Sequence, residues 1–168
     1  MKSLYSLLLV LMGCFCAAPL QKADVPQKPP IGVPADAKLF NGKWYFVYLE
    51  TEPWNVAKRK CEDLKGQLVV VPDEPTWVFI RHLAKDARVW LGGTDEETQG
   101  VWKWIDGTPF TFKAWLPGQP DNAKNGQEHY LHIHFGRNFP HGWNDASKDG
   151  LINDRQRVTG FICEWKDK

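Results

Sequence analysis

Several features are scarce in this chain, and each scarcity closes off a class of function. No sign of charge dominates: 21 basic residues meet 20 acidic ones, for a formal net charge of +1. Without a basic stripe, the phosphate-neutralising term that nucleic-acid binding requires is missing, so no nucleic acid is expected as a partner. Beyond the N-terminus no stretch approaches the roughly 18 apolar residues needed to span a bilayer, so no transmembrane helix is expected. Cysteine is sparse, with four in 168 residues, and Cys14 and Cys16 both fall at the leader. No nucleophile stands out beside a partnered base, and the chain does not read as an enzyme.

What is present begins with a leader. Met1-Lys2 followed by the apolar run Leu4 to Met12 has the layout of a secretory signal, too short to cross a membrane. Residues 1–18 are therefore set aside as a signal peptide, and the mature protein is expected to be secreted. Two readings of its processing stand. Cys16-Ala17-Ala18 offers small residues but runs into Pro19, whereas Leu11-Met12-Gly13-Cys14 resembles a lipobox, in which Cys14 would carry a lipid and anchor the protein to a membrane. Residues 19–38, with Pro19, Pro26, Pro29, Pro30 and Pro34, read as an extended, partly polyproline linker that spaces a domain from a surface. One folded domain is expected over 39–168.

Fourteen Gly and 12 Pro favour many turns over long helices, and nine Trp call for a packed interior or a binding face. Leu39 to Glu50, where Trp44, Phe46 and Tyr48 alternate with Tyr45, Val47 and Leu49, predicts a strand. Thr51 as N-cap, Pro53 in the first turn, the stripe Trp54, Ala57, Cys61, Leu64 and a stop at Gly66 predict a helix. Leu68 to Val71 reads as a short buried strand, and Asp73 as the cap of a second helix carrying Trp77, Ile80 and Leu83. Short strands follow over Val89–Gly93, Val101–Trp104, Tyr130–Phe135 and Gly160–Trp165. The fold class is α+β: two helices on antiparallel strands, with an irregular upper half. In an exported protein Cys61 and Cys163, the two cysteines of the domain, are expected to pair.

The stretch from Gln119 to Glu128 lacks apolar periodicity and is full of turn formers, yet it concentrates oxygen-bearing side chains. Calcium takes about 6 to 8 oxygen ligands, and Gln119, Asp121 and Glu128, closed by Asn144 and Asp145 downstream, could supply most of a shell. A cis bond at Pro120 would turn its two neighbours' side chains toward one point. Gln, Pro, Asp, Asn and Gly are equally the composition of a solvated loop, and residue types alone leave both readings open. His129-x-x-His132-x-His134 offers a rival metal: on a strand His132 and His134 share a face, and with Glu128 or His141 they could hold zinc, opening a zinc hydrolase reading. Against it, alternating His on a half-exposed strand, with Leu131 and Ile133 toward the core, needs no metal.

The order Gln119-Pro120-Asp121, then Glu128, then Trp143-Asn144-Asp145, and finally Cys163 resembles the C-type lectin-like domain over nearly all of 39–168. The resemblance implies that fold, with a long irregular calcium-binding loop region, and a calcium-dependent lectin with a carbohydrate ligand. It assigns Gln119, Asp121, Glu128, Asn144 and Asp145 to both the cation and the sugar. Gln-Pro-Asp resembles the galactose-selecting form, although residues 122–127 lack the aromatic that stacks on the sugar in such members. That absence keeps a second reading open, a lectin-like domain that binds protein without sugar. The family's usual second disulfide is missing, its positions matching Tyr130 and Lys148, which implies a looser upper loop. An auxiliary calcium site would use Asp95 with Gln99, Asn122 and His129; only Asp95 among these is a carboxylate, so a weak or empty site is expected and Thr94–Glu97 reads as a solvated turn.

Overall fold

The structure, a computed structural model, describes residues 28–123, 126–136, 139–153 and 156–167. The signal peptide, Cys14 and the first part of the linker lie outside the described residues. The remainder of the proline-rich stretch, expected to act as a spacer, is folded onto the domain. Turns close at Val33 N–H to Pro30 O and Ala37 N–H to Pro34 O, both 3.0 Å, and Ala37 is buried.

The aromatic run is two strands, β1 (Lys38–Phe40) and β2 (Lys43–Tyr48), paired antiparallel. Asn41 and Gly42 both take positive φ, 46° and 71°, the requirement of a two-residue hairpin turn, which breaks the single strand expected there. Helix α1 (Trp54–Asp63) follows, with Pro53 at its N-cap and no side-chain cap, so Thr51 does not cap it. Its buried face is Trp54, Ala57 and Cys61. The helix ends before Gly66: Lys65 takes the left-handed conformation at φ 62°, and Gly66 N–H returns to Cys61 O at 2.9 Å. Gly66 is required for space, since a Cβ there would stand 2.7 Å from both Glu164 O and Trp165 Nε1.

Of the valine run only β3 (Gln67–Leu68) joins a ladder, although Val69, Val70 and Val71 are buried behind it. Helix α2 (Glu74–Ala84) matches its sequence signals: Asp73 accepts the Thr76 N–H at 2.9 Å, and Trp77 and Ile80 face the core. The remaining strands are β4 (Val89–Thr94), β5 (Lys103–Trp104), β6 (Tyr130–Gly136), β7 (Phe139–Ala146), β8 (Leu151–Asn153), β9 (Gln156–Arg157) and β10 (Gly160–Lys166). The main sheet runs β1-β2-β10-β4-β6-β7, with β3 on β10 and β5 on β4; β8 and β9 form a separate ribbon. The β10–β4 pairing is parallel, so the sheet is mixed where an antiparallel one was expected.

Seven of the nine tryptophans are buried (Trp44, Trp54, Trp77, Trp90, Trp104, Trp143 and Trp165), which answers their abundance with packing. Trp143 is fully enclosed and meets Trp77, Trp104 and Trp115 edge-on at 5.7–5.9 Å between ring centroids. Cys61 and Cys163 are disulfide-bonded, joining α1 to β10. Among the described residues no helix is long and apolar enough to cross a membrane. Reduction of this bond, or Cys61→Ser with Cys163→Ser, is expected to lower the unfolding free energy by about 4–5 kcal/mol on the chain-entropy estimate, read as a fall in the denaturant midpoint with a steeper slope, because the unfolded chain is no longer cross-linked.

Candidate functional site

The site is built on the β6–β7 ladder, where Leu131 pairs with Asp145, His132 with Asn144 and Ile133 with Trp143. β7 escaped the sequence reading because Phe-Pro-His-Gly-Trp-Asn-Asp looks like a turn-rich segment; β6 supplies the pairing that makes it a strand. The incoming chain is fastened to β7 before the loop begins. Trp143 N–H donates to Ala114 O at 2.7 Å, and Leu116 N–H donates to Trp143 O at 3.0 Å. The Gln119–Pro120 bond is cis, a form the sequence left open.

The loop then closes on β7 through backbone N–H groups. Asp145 accepts from Asp121 N–H at 3.2 Å on one oxygen and from Asn122 N–H at 2.8 Å on the other. Glu128 Oε2 accepts from Ala123 N–H at 2.9 Å, while Asn122 Oδ1 accepts from Glu128 N–H at 2.9 Å. Asn122 sits at φ 48°, a conformation that asparagine tolerates better than most residues. It is a clasp inside the loop, where the sequence reading had assigned it to the auxiliary site.

Of the five candidate ligands, three are brought together tightly. One carboxylate oxygen each from Asp121, Glu128 and Asp145 lie within 4.8 Å of one another. Oxygens sharing a calcium ion at 2.3–2.6 Å are about 5 Å apart at most, so the spacing fits one ion. Asn144 lines the same cavity, and its Oδ1 is buried with no hydrogen-bond partner among the described residues. Gln119 also lines the cavity, but its Oε1 is turned back to accept Asp121 N–H at 3.1 Å. Burial pushes the Asp145 carboxyl above its usual range, the Asp121 charge adds to the rise, and the two loop N–H groups partly offset it. A crowded set of carboxylates, two of them buried, and an unsatisfied amide oxygen is what a hard cation would relieve.

The histidines do not form a zinc set. His132 is fully buried with Leu131 and Ile133, so β6 is enclosed on both faces instead of half-exposed, and His132 Nδ1 bonds to Ile133 O at 2.9 Å. Burial lowers its pKa to about 3. His141 Nε2 meets Lys85 O instead of the other histidines. Among the described residues the only group of three potential ligands is the carboxylate trio. His134 lines the same cavity as that trio, and its own burial followed by the Arg88 charge holds it below the ordinary histidine value, so it is neutral at pH 7.

At the auxiliary positions Asp95 is buried, not part of a solvated turn. Its oxygens receive Gly100 N–H at 2.7 Å and Gln99 Nε2 at 3.3 Å, and one bonds His129 Nδ1 at 2.9 Å. Asn122 is engaged elsewhere, with Glu128 and Asp145. At the positions matching the absent second disulfide, Lys148 Nζ lies 5.4 Å from the Tyr130 ring centroid and 2.9 Å from Glu96. Burial, then the bond to Glu96, pushes the Tyr130 hydroxyl up to about 12.

A family model for the Lectin C-type domain matches residues 50–164. The chain belongs to the C-type lectin domain family. C-type lectin domain family 4 member F of mouse (Mus musculus) is 32% identical over 117 residues, covering 66% of this chain. The chain spans only 20% of that relative's length. Among solved structures, the mouse scavenger receptor C-type lectin carbohydrate-recognition domain superposes with a TM-score of 0.68 at 32% identity, covering 81% of this chain and 98% of that one. A Ca2+-dependent type II antifreeze protein, in its Ca2+-free form, reaches 0.68 at 25% identity, covering 80% of this chain and 100% of that one. The membership agrees with the α+β C-type lectin fold, and domains of this family are non-enzymatic, which removes the hydrolase reading.

Because the Asn122 Oδ1 fixes the backbone N–H of Glu128, while the Asn122 backbone N–H to Asp145 survives truncation, Asn122→Ala is expected to weaken calcium binding about 10-fold through Glu128 alone, leaving the fold intact. Calorimetric titration of the variant, with circular dichroism as the folding control, checks this.

Proposed function

We propose that the domain is a calcium-dependent carbohydrate-binding module, with Gln119, Asp121, Glu128, Asn144 and Asp145 as ligands to the ion and to the sugar. The observation that carries this is the carboxylate trio within 4.8 Å beside the buried, unpartnered Asn144 Oδ1. Family membership and a relative titled a carbohydrate-recognition domain support the sugar. Calcium, when bound, coordinates two neighbouring sugar hydroxyls. Each hydroxyl has one proton to give, so two carboxylates among Asp121, Glu128 and Asp145 would accept one hydrogen bond each, and the Asn144 and Gln119 amides would donate to the hydroxyl oxygens. The amide-then-acid order of Gln119-Pro120-Asp121 favours galactose. The leader supports secretion of the domain, with a lipid at Cys14 as the alternative route to a membrane surface.

The lack of an aromatic in residues 122–127 favours one second reading, a protein ligand held without sugar. A glycan array run with calcium and again with chelator separates the two: chelator-sensitive glycan binding supports the lectin, and chelator-resistant binding to protein alone supports the rival.

Calorimetry is expected to give a calcium Kd on the order of 10⁻⁴ to 10⁻³ M, the range of extracellular modules, and Asp145→Asn is expected to weaken it by about tenfold or more. The pH dependence has a definite sign. With its folded pKa raised above the ordinary 3.8, Asp145 contributes stability to the ion-free fold that is full below that value and lost as pH rises through the folded pKa. Calcium requires the ionised form, so its affinity and its gain in Tm are expected to be greater at pH 7 than at pH 5, with protons released on binding at the lower pH.

A further inference from the structure

The proline-rich segment before β1 carries an apolar side chain that the domain itself does not pack. Ile31 is fully exposed, yet it is held in place: Val33 N–H donates to Pro30 O at 3.0 Å, and Gly32 takes the positive φ, 92°, that the third position of a type II turn requires. Behind the turn, Val33 packs on the cluster that contains the buried Ala37, Trp44 and Trp165, which anchors the tip to the domain. Ile31 stands on the rim of a groove of about 630 Å³ between this turn, the α1–β3 connection and the end of β10. The far side of the groove is fixed, since Trp165 Nε1–H donates to Leu64 O at 2.9 Å and Gly66 has no room for a Cβ against the Trp165 ring. Leu64, on that side, is exposed as well. The surrounding charges are of both signs. Lys65 and Lys166 line the groove, Asp63 adjoins Leu64 and Asp36 lies on the segment that carries Val33; all four are exposed and make no ion pair among the described residues.

We propose that this patch is a contact between two copies of the chain, related by a two-fold axis that seats each Ile31 in the other copy's groove. An interface of that symmetry needs a surface complementary to itself, and here the protruding side chain and the depression lie side by side. The turn holds Ile31 at the rim of its own groove without filling it, so the groove is filled from a second molecule. Charge points the same way. An anionic membrane or an acidic ligand would call for one sign, whereas two lysines and two aspartates let the patch pair with its own copy, Lys65 and Lys166 of one molecule against Asp36 and Asp63 of the other. Proline and glycine fix the turn before contact, so little freedom is lost on docking. The groove has twelve lining residues, against about 20–30 a side in a standard interface, which makes the dimer weak and concentration-dependent. The inference does not depend on what the carboxylate site binds.

The test is sedimentation equilibrium of the chain without its leader, from about 10 μM to about 1 mM, in low salt. The wild type is expected to show a monomer–dimer equilibrium with a Kd on the order of 10⁻⁴ M, and Ile31→Asp, at a position with no packing to lose, to weaken it about tenfold or more with unchanged Tm. Lys65→Glu with Lys166→Glu in one variant, and Asp36→Lys with Asp63→Lys in another, are each expected to stay monomeric alone and to associate when mixed, the result that identifies the partner as the same chain. A monomer throughout the concentration range, a dimer that Ile31→Asp leaves intact, or a mixture of the two charge variants that does not associate would overturn the proposal. A monomer in which Ile31→Asp speeds hydrogen exchange over residues 19–27 would also overturn it, and would give the groove to the chain's own preceding segment.

Discussion

Three carboxylates within 4.8 Å of one another, with Glu128 and Asp145 buried, form the arrangement around which the upper half of the domain is organised. Like charges at such distances repel strongly once water is removed, so the carboxylates persist there only with donors in place. The loop provides them from its own backbone: Asp121, Asn122 and Ala123 all point N–H groups at Asp145 or Glu128. The loop is thus ordered by the groups that a cation would use. The groups that accept the loop's N–H donors are the same ones that form the proposed cation site.

Beneath this lies a rigid base that carries no chemistry. Trp143, the residue before Asn144, is gripped edge-on by three other tryptophans and tied to Ala114 and Leu116 through its backbone. A strand held so firmly on one side sets the positions of Asn144 and Asp145 without help from the loop. The disulfide at Cys61–Cys163 acts at a different level, securing α1 to β10.

Much of this was legible in the residues. Asp73 as a cap, the stripe Trp77 and Ile80, the buried face of α1 and the pairing of two lone cysteines each follow from a local signal with a physical cause. The failures are equally physical. Asn41-Gly42 was absorbed into an aromatic run because flanking β-formers mask a two-residue turn. Asp95 and His132 looked solvated because polarity was taken as exposure; their burial is set by partners far along the chain, His129 for Asp95 and Trp90 for His132. β7 exists only once β6 meets it, and no spacing rule within the chain announces that meeting.

The contact of Tyr130, Lys148 and Glu96 takes the place that the family gives to a second covalent bridge. An aromatic ring, an ammonium and a carboxylate hold this corner by forces that thiols and oxidants leave untouched. Among the described residues this corner consequently holds no bond that a change of redox state would alter, whereas the Cys61–Cys163 bridge below it is such a bond.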